Sequence, residues 1–390
     1  MQPNTRNLVA ACAAITVFGL AFGMSYPLLS LILEARGVSS AMIGVNSSMG
    51  PLGILLASSV IPTLAHRFGS RRVTIIAAGL TAITLLCFKM FDTLEAWFVI
   101  RLIQGMCIGV LFALSEAWIV KYAENDSRGR VVAIYSSILS ASFGAGPLLV
   151  GWFGIEGWLP FLIGAVVLVL GMFPLSLVQE EQAREAEEVS PSGILDFAPK
   201  APMLLACVGV FAIFDAATLS LLPVYGIRNG LDLQTSAGML SALVLGNVVL
   251  QFPIGWFADR FPKRLVLSSC ALITAVFLVL LPFTIHSFLR WPVLILMGAT
   301  GYGVYTVSLA ALGDRFTGTE LVNGSASFAS MWGGGALVGS VTSGWALLTL
   351  NSHGLVIYLS ITYFILGMGM LLRLNYLKRA RAAAAGRGRV

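Results

Sequence analysis

The feature that most constrains this chain is a succession of long apolar runs separated by short polar loops. Each run reaches the ~20 residues that a helix needs to cross the hydrocarbon core of a bilayer. Charged residues make up 11% of the 390 residues and hydrophobic residues 57%, whereas soluble domains carry about 25% charged residues. The sequence therefore predicts an all-α membrane protein with twelve transmembrane helices, near residues 8–34, 40–65, 73–91, 96–120, 131–153, 157–178, 203–225, 234–258, 265–287, 291–313, 322–350 and 354–376. The first run lacks the short apolar stretch and cleavage site of a secretory signal, so we expect it to be retained.

The basic residues predict how these helices are oriented. If both termini are cytoplasmic, the cytoplasmic loops and termini carry 19 Lys and Arg residues, and the loops on the other side carry four. The positive-inside rule therefore places both termini in the cytoplasm. The net charge of +6 then reflects orientation and contact with anionic membrane lipid, so no nucleic-acid partner is expected.

A short charged hairpin occurs twice in the chain, which indicates an internal repeat. Gly255–Arg264 reads Gly-Trp-Phe-Ala-Asp-Arg-Phe-Pro-Lys-Arg, and a related hairpin, Pro62–Arg72, lies 193 positions earlier. A glutamate-rich connector divides the twelve helices into six plus six. The predicted units are an N-terminal six-helix bundle (1–178), a cytoplasmic linker (179–202), a C-terminal six-helix bundle (203–377) and a basic cytoplasmic tail (378–390).

These motifs resemble those of the major facilitator superfamily. The hairpins fall between helices 2 and 3 and between helices 8 and 9, an Arg-x-x-Gln-Gly motif begins at Arg101 in helix 4, and Gly146-Pro147 lies in helix 5. The runs 115–118, 127–130 and 222–225 are similar to the YcaD-like branch of that family. The resemblance implies two six-helix bundles that rock about a central cavity lined by helices 1, 4, 7 and 10. It also implies a monomeric, multi-pass protein of the bacterial inner membrane.

The resemblance assigns a gating role to the hairpins. In the family, the hairpin carboxylate pairs with a neighbouring helix end and steadies the outward-open state. The second copy has this carboxylate, Asp259, whereas His66 stands in the first copy. Glu116, near the cytoplasmic end of helix 4, resembles the residues that latch the inner gate. The alternative is that the hairpins only anchor the topology. The predicted gating residues are Asp259, Arg260, Lys263, Arg264, Arg67, Arg71, Arg72, Glu116 and Arg128.

Charges within the membrane point to a functional pathway, because each costs about 2.5–3.5 kcal/mol at the bilayer centre on insertion scales. Arg101 lies in helix 4, and Asp215 lies midway along helix 7. Apolar surroundings favour the protonated form of a carboxyl group unless a cation such as Arg101 keeps it ionised. In the family, the arginine of Arg-x-x-Gln-Gly is tied to proton coupling. We therefore predict that Arg101 and Asp215 couple proton movement, with a helix-to-helix hydrogen bond as the alternative for Asp215.

Polar and aromatic residues on the central helices are candidates for substrate contact, with ordinary packing as the alternative for most of them. The predicted cavity residues are Tyr26, Asn46, Gln104, Tyr135, Asn247, Gln251, Tyr302, Tyr305 and Trp332. Tyr302 and Tyr305 share one helical face, and Gly298, Gly301 and Gly303 beside them are expected to leave room for a ligand. The sparse charges and many apolar side chains favour a small amphipathic or hydrophobic organic substrate.

The Gly-Pro of helix 5 resembles a pattern found in exporters of the family that act as antiporters, although Val150 replaces the last glycine of that pattern. An enzyme is not expected, because the chain lacks a Gly-x-x-x-x-Gly-Lys-Ser/Thr phosphate loop and its three histidines are far apart. The five cysteines show no ligand or disulfide spacing, so neither metal nor cofactor is predicted.

The sequence therefore predicts a proton-coupled exporter that works by alternating access. Two alternatives stay open at this point. One is a lipid-handling or sensing membrane protein without coupled transport, and the other is a proton-coupled importer.

Overall fold

The computed structural model describes residues 3–122, 128–177 and 197–387. Within these residues, thirteen α-helical segments form twelve membrane helices, the second of which is broken in two. They are α1 (Pro3–Ala35), α2a (Ser40–Ser58), α2b (Ile61–Phe68), α3 (Ser70–Met90), α4 (Leu94–Tyr122), α5 (Arg128–Phe153), α6 (Leu159–Met172), α7 (Pro202–Arg228), α8 (Leu233–Arg260), α9 (Lys263–Thr284), α10 (Arg290–Arg315), α11 (Gly318–Thr349) and α12 (Gly354–Arg387).

The helical architecture follows from the apolar composition. Inside a bilayer no water is present to satisfy backbone N–H and C=O groups, so a spanning segment must bond them internally as a helix. Ten of the described helices are long and apolar enough to cross a membrane, and α6 forms a shorter apolar segment that extends to Leu175. Of the two remaining segments, α2b is the short second part of a broken membrane helix and α11 is rich in glycine and serine. The prediction of an all-α, twelve-helix membrane protein is confirmed.

Helix packing repeats after six helices. In the first half, α1 packs against α4, α5 and α6, α2a packs against α4, and α3 packs against α4 and α6. In the second half, α7 packs against α10, α11 and α12, α8 packs against α10, and α9 packs against α10 and α12. Each pair in the first bundle thus has its equivalent in the second, as a duplicated six-helix unit requires.

The predicted linker and tail lie mostly beyond this description. Of the linker (179–202), residues 179–196 lie outside the described residues, and Ala198–Lys200 forms a short 3-10 turn before α7. The predicted tail (378–390) begins inside α12, which runs to Arg387. The side chains of the tail lie outside the described part of the chain.

A break in the second membrane helix was not predicted. Between α2a and α2b, the Ser58 and Ser59 hydroxyls donate hydrogen bonds to the carbonyls of Leu55 (2.7 Å) and Leu56 (3.0 Å). Such bonds compete with the helical ladder. Pro62 then stands in the first turn of α2b, where its missing N–H costs little. The chain can therefore bend immediately before the first charged hairpin.

The two hairpin turns differ in conformation, which explains their different residues. In the first copy, Gly69 caps α2b with φ 83°, a left-handed value that favours glycine. In the second copy, Pro262 holds the equivalent place with φ −53°, close to the angle that its ring imposes. We call the end of the molecule that carries both turns the hairpin end, and the other end the opposite end.

The two bundles are in close contact through glycine at the opposite end. A Cβ atom added to Gly44 of α2a would lie 2.2 Å from the carbonyl oxygen of Ser340 on α11, and one added to Gly344 would lie 2.4 Å from that of Ser40. On the other side of the molecule, the Ser241 hydroxyl of α8 donates to the Gly144 carbonyl of α5 (2.9 Å). Small residues let helix backbones approach in this way, so the opposite end is closed.

Candidate functional site

Asp215 lies at the centre of a polar and aromatic cluster in the second bundle. It sits on α7 and is 7% exposed. One carboxylate oxygen accepts a hydrogen bond from the Tyr302 hydroxyl of α10 (2.8 Å), and the other accepts one from the Trp332 indole N–H of α11 (3.2 Å). Three helices thus converge on one carboxylate, and each oxygen has a donor.

Aromatic rings surround this carboxylate. The Phe211 ring stacks on Tyr305 at a centroid distance of 4.9 Å and meets the Tyr302 ring at 5.4 Å, at an interplanar angle of 64°. The predicted cavity residues Tyr302, Tyr305 and Trp332 are therefore brought together with the predicted coupling residue Asp215. The arrangement offers apolar ring faces to an organic molecule beside a single acidic group.

The predicted role of the neighbouring glycines is wrong. A Cβ added to Gly301 would lie 2.7 Å from the Phe214 ring, and one added to Gly298 would lie 1.9 Å from the Leu243 carbonyl oxygen. Gly303 is close to Ile254 in the same way, at 3.0 Å. The space beside these glycines is filled by neighbouring helices, because close helix packing uses the missing side chains.

Arg101 is the centre of a second buried cluster, in the first bundle. It lies on α4, is 1% exposed, and its guanidinium carbon is 4.2 Å from the centroid of the Tyr26 ring on α1, within the range of a cation–π contact. None of its three side-chain nitrogens has a hydrogen-bond partner among the described residues. A buried charge without hydrogen bonds is costly, so this group is available to an acceptor that another state supplies.

Other predicted cavity residues of the first bundle also bury polar atoms that lack hydrogen-bond partners among the described residues. In the described part of the chain, the Tyr26 hydroxyl, both polar atoms of the Asn46 side chain and the Gln104 amide nitrogen are buried without a hydrogen-bond partner. The Tyr26 hydroxyl lies against Gly50, one helical turn from Asn46. Tyr26, Asn46, Arg101 and Gln104 thus form a buried polar surface with unused hydrogen-bonding capacity.

The two coupling candidates are not paired with each other. No ion pair joins Arg101 to Asp215 among the described residues, where Asp215 is held by Tyr302 and Trp332 instead. The three remaining cavity candidates make their side-chain hydrogen bonds with residues outside these two clusters. Tyr135 shares a hydrogen bond with Ser115 (2.9 Å), and the Gln251 amide nitrogen donates to the Asn247 side-chain oxygen along α8 (2.5 Å).

Sequence reasoning missed an ion pair that joins the bundles at the opposite end. Arg228 of α7 donates two hydrogen bonds to the carboxylate of Glu34 on α1, at 2.6 and 2.9 Å. Its remaining nitrogen contacts the Ser40 hydroxyl of α2a (3.3 Å) and the Leu347 carbonyl of α11 (3.4 Å). One arginine therefore ties together two helices of each bundle.

The repeat relates Arg228 to another arginine but gives no sign of its pairing with Glu34. Arg36-Gly37 after α1 matches Arg228-Asn229-Gly230 at the end of α7. Arg36 forms an ion pair with Asp92 of its own bundle and lies over the Trp97 ring at 4.6 Å. The equivalent arginines thus differ in their partners, since only the second one reaches across the interface.

At the hairpin end, the predicted gating residues form no shared network in the described residues. Asp259 is exposed and makes no hydrogen bond or ion pair with any described residue. Lys263 pairs with Asp314 at the end of α10, and Arg260 lies over the Trp256 ring at 4.0 Å. The gating role of the hairpins therefore stays a prediction.

The remaining gating candidates lie on four helices, α2b, α3, α4 and α5. Arg67 lies over the Phe68 ring at 5.3 Å, and Arg71 and Arg72 stand in the first turn of α3. Glu116 is exposed and has no ion pair with a described residue. Arg128 begins α5, but its side chain lies outside the described part of the chain.

Comparisons with known proteins agree with this architecture. The sequence profile of the Major Facilitator Superfamily matches residues 11–246 and 230–389. The chain is 23% identical to the uncharacterized MFS-type transporter YfkF of Bacillus subtilis, over 89% of this chain and 90% of the relative. It is also 23% identical to the uncharacterized MFS-type transporter YcaD of Escherichia coli, over 96% of this chain and 97% of the relative.

Solved structures share the fold at low sequence identity. A nucleoside transporter, NupG, superposes with a TM-score of 0.70 at 14% identity, covering 95% of this chain and 97% of that one. A D-xylose-proton symporter superposes with a TM-score of 0.74 at 14% identity, covering 95% and 97%. The predicted family and its YcaD-like branch are confirmed, and this chain belongs to the major facilitator superfamily of secondary transporters.

Proposed function

We propose that this transporter exports small amphipathic or hydrophobic organic molecules in exchange for protons, as an antiporter of the bacterial inner membrane. The observation that carries the proposal is the environment of Asp215. Its carboxylate is buried, has a hydrogen-bond donor on each oxygen, and lies beside the rings of Phe211, Tyr302 and Tyr305. No cation pairs with it among the described residues.

A single buried carboxylate of this kind suits an exchange mechanism. When it is ionised, its charge can be balanced either by a proton or by a cationic group of a bound molecule, and a neutral polar group can donate a hydrogen bond to the same oxygens. Both cannot occupy the same oxygens, so binding of one displaces the other. In a conformation that brings Arg101 closer, its guanidinium would compete for the same carboxylate oxygens, because it has no hydrogen-bond acceptor among the described residues in the present state.

Because the opposite end is closed, the conformation can be assigned to one step of a transport cycle. We place the hairpin end and both termini in the cytoplasm, because the predicted cytoplasmic segments carry 19 basic residues against four. The Glu34–Arg228 pair then closes the outer end of the central pathway. The exposed Glu116 and Asp259 lie at the cytoplasmic end, where an export substrate would enter.

A proteoliposome experiment tests the proposal. A thermal-shift screen of cationic, neutral and anionic amphipathic compounds first selects a probe that binds the wild-type protein. We expect a gradient of that probe to move protons, reported by a pH-sensitive dye inside the vesicles. Asp215→Asn should abolish this proton movement, because an amide cannot exchange a proton.

Asp232→Asn is the matched control. Asp232 is an exposed carboxylate that caps α8, and asparagine caps a helix about as well, so proton movement should stay at the wild-type rate. Unchanged proton movement in Asp215→Asn would contradict the coupling role. Probe movement without proton movement in the wild type would contradict antiport, and coupled movement of probe and protons in the same direction would indicate an importer.

A further inference from the structure

We propose that a basic crevice at the hairpin end of the second bundle binds the phosphate-bearing headgroup of an anionic phospholipid. The crevice has a volume of about 560 Å³ and lies between the first turns of α7 and α9, the end of α10 and the middle of α12. Its charged lining consists of five basic residues and one acidic residue: Lys200, Lys263, Arg264, Arg315, Arg373 and Asp314.

Ion pairs neutralise some of these charges and leave an excess of positive charge. Lys200 pairs with Glu320 (2.5 Å), and Lys263 pairs with Asp314. Arg264, Arg315 and Arg373 have no carboxylate partner among the described residues, where Arg315 lies over the Phe316 ring at 5.2 Å. Three guanidinium groups, each with several N–H donors, therefore line one cavity without a carboxylate partner in the described part of the chain.

Two helix starts contribute positive potential to the crevice, opposed by the C-terminal end of α10, where Asp314 and Arg315 also line it. The first residues of α7 and of α9 are among the lining residues, and neither helix has a side-chain hydrogen bond at its N-cap, which is Ala201 for α7 and Pro262 for α9. Backbone N–H groups in a first helical turn lack helical partners and carry the positive end of the helix dipole. Together with the arginines, they provide donors suited to phosphate oxygens.

The apolar part of the lining favours a lipid over a soluble phosphate. Leu204, Leu267 and Met370 line the crevice, and Leu267 and Met370 are buried. Beside Arg264, Leu265 begins a series of exposed apolar residues along α9 that includes Ile273, Val276 and Phe283. A lipid can therefore place its phosphate at the arginines and its acyl chains along this apolar surface. Basic pockets between membrane helices commonly bind such headgroups.

This site is independent of the proposed transport chemistry, since it lies in the second bundle away from Asp215 and Arg101. It does include Lys263 and Arg264 of the second hairpin. A bound headgroup would therefore contact the hairpin, the start of α7 and α12 together, and stabilise their arrangement.

Native mass spectrometry of the detergent-purified protein tests the proposal. The probes are dioctanoyl phosphatidylglycerol, dioctanoyl phosphatidylcholine and inorganic phosphate. We expect the wild type to bind phosphatidylglycerol more tightly than phosphatidylcholine, and inorganic phosphate at equal concentration not to displace it. Removing one arginine should weaken binding about fivefold, the usual contribution of one basic residue near an anionic lipid surface. Arg264→Gln/Arg373→Gln should therefore weaken it by more than tenfold.

Arg67→Gln is the matched control, because Arg67 is an exposed arginine at the hairpin end of the first bundle and does not line the crevice. It should bind phosphatidylglycerol as the wild type does. Equal affinities of the double variant and the wild type would overturn the proposal, provided that both elute as the same folded species in size-exclusion chromatography. Displacement of the lipid by inorganic phosphate alone would overturn the assignment to a lipid.

Discussion

The ion pair between Glu34 and Arg228 should control which end of the transporter is open. Arg228 binds both carboxylate oxygens of Glu34 across the bundle interface, and the two side chains are 24% and 16% exposed, in that order. If the bundles separate at this end, both groups return to water and the pair is lost. Replacing one partner therefore destabilises the closed end selectively.

The magnitude follows from the burial of the pair. Removing one partner of a fully buried pair costs about 3–5 kcal/mol, whereas an exposed pair contributes about 0–1 kcal/mol. For this partly buried, bidentate pair we expect about 2 kcal/mol, between those limits. Since about 1.4 kcal/mol corresponds to a tenfold change in an equilibrium constant, Arg228→Gln should shift the ratio of closed to open about 30-fold toward the open state.

Spin-label distance measurements can detect this shift. Labels at Ala35→Cys and Thr349→Cys would report the separation of the bundles at the opposite end, because these two residues lie in different bundles and are exposed. The five native cysteines would be replaced by alanine. We expect a single short distance in the parent protein and a larger fraction of long distances in Arg228→Gln and Glu34→Gln.

The repeat supplies the control for this measurement. Arg36 is the equivalent arginine of the first bundle and pairs with Asp92 within that bundle, so Arg36→Gln should leave the distance distribution unchanged. An unchanged distribution in Arg228→Gln would refute the reasoning. A shift of equal size in Arg36→Gln would also refute it, because the effect would then reflect general loss of charge.

Two further predictions follow from the same structure. Gly44→Leu should also favour the open state, because its side chain would meet the Ser340 carbonyl at the closed interface at a cost of about 1–3 kcal/mol. The same spin labels measure this shift. Gly334→Leu is the control and should have no effect, because Gly334 has open space around it. Asp232→Ala should lower the free energy of unfolding by about 1 kcal/mol at neutral pH through loss of the α8 cap. Hydrogen bonds from Thr235 lower the pKa of Asp232 in the folded state. The cap therefore stabilises the protein fully above the unfolded-state pKa, and this stabilisation declines as pH falls through the lower folded-state pKa. Urea titrations at neutral and acidic pH should show that the difference in unfolding free energy between wild type and Asp232→Ala becomes smaller in acid.

The sequence predicted the fold well because the bilayer imposes simple rules. Apolar runs of spanning length must be helices, and a repeated hairpin at equivalent places requires two similar bundles. Asp215 and Arg101 were identifiable for a related reason, since charges within apolar runs are costly and stand out. The break after Ser58 was not identifiable, because serine and proline are common in membrane helices and only their combined hydrogen bonding interrupts the ladder.

The parts that sequence could not predict depend on how the bundles meet. Glu34 and Arg228 are 194 residues apart and each stands at a helix end, where a charge usually serves only to orient the helix. Likewise, nothing in the order of Gly298, Gly301 and Gly303 says whether a ligand or a neighbouring helix occupies the space beside them. Such questions are decided by tertiary packing.

The distribution of satisfied and unsatisfied charges gives a physical reason for alternation between states. In this conformation, Arg228 is fully engaged across the opposite end, whereas Asp259, Glu116 and Arg101 have no ionic partner among the described residues. A transporter must pass between two states of similar free energy, so opening the opposite end requires new contacts to offset the roughly 2 kcal/mol lost with Arg228. The unpaired charges at the hairpin end and in the first bundle can supply them. If they do, Asp259→Asn should lower the population of the state open at the opposite end, which is the reverse of the effect expected for Arg228→Gln, and the same spin-label distances would separate the two.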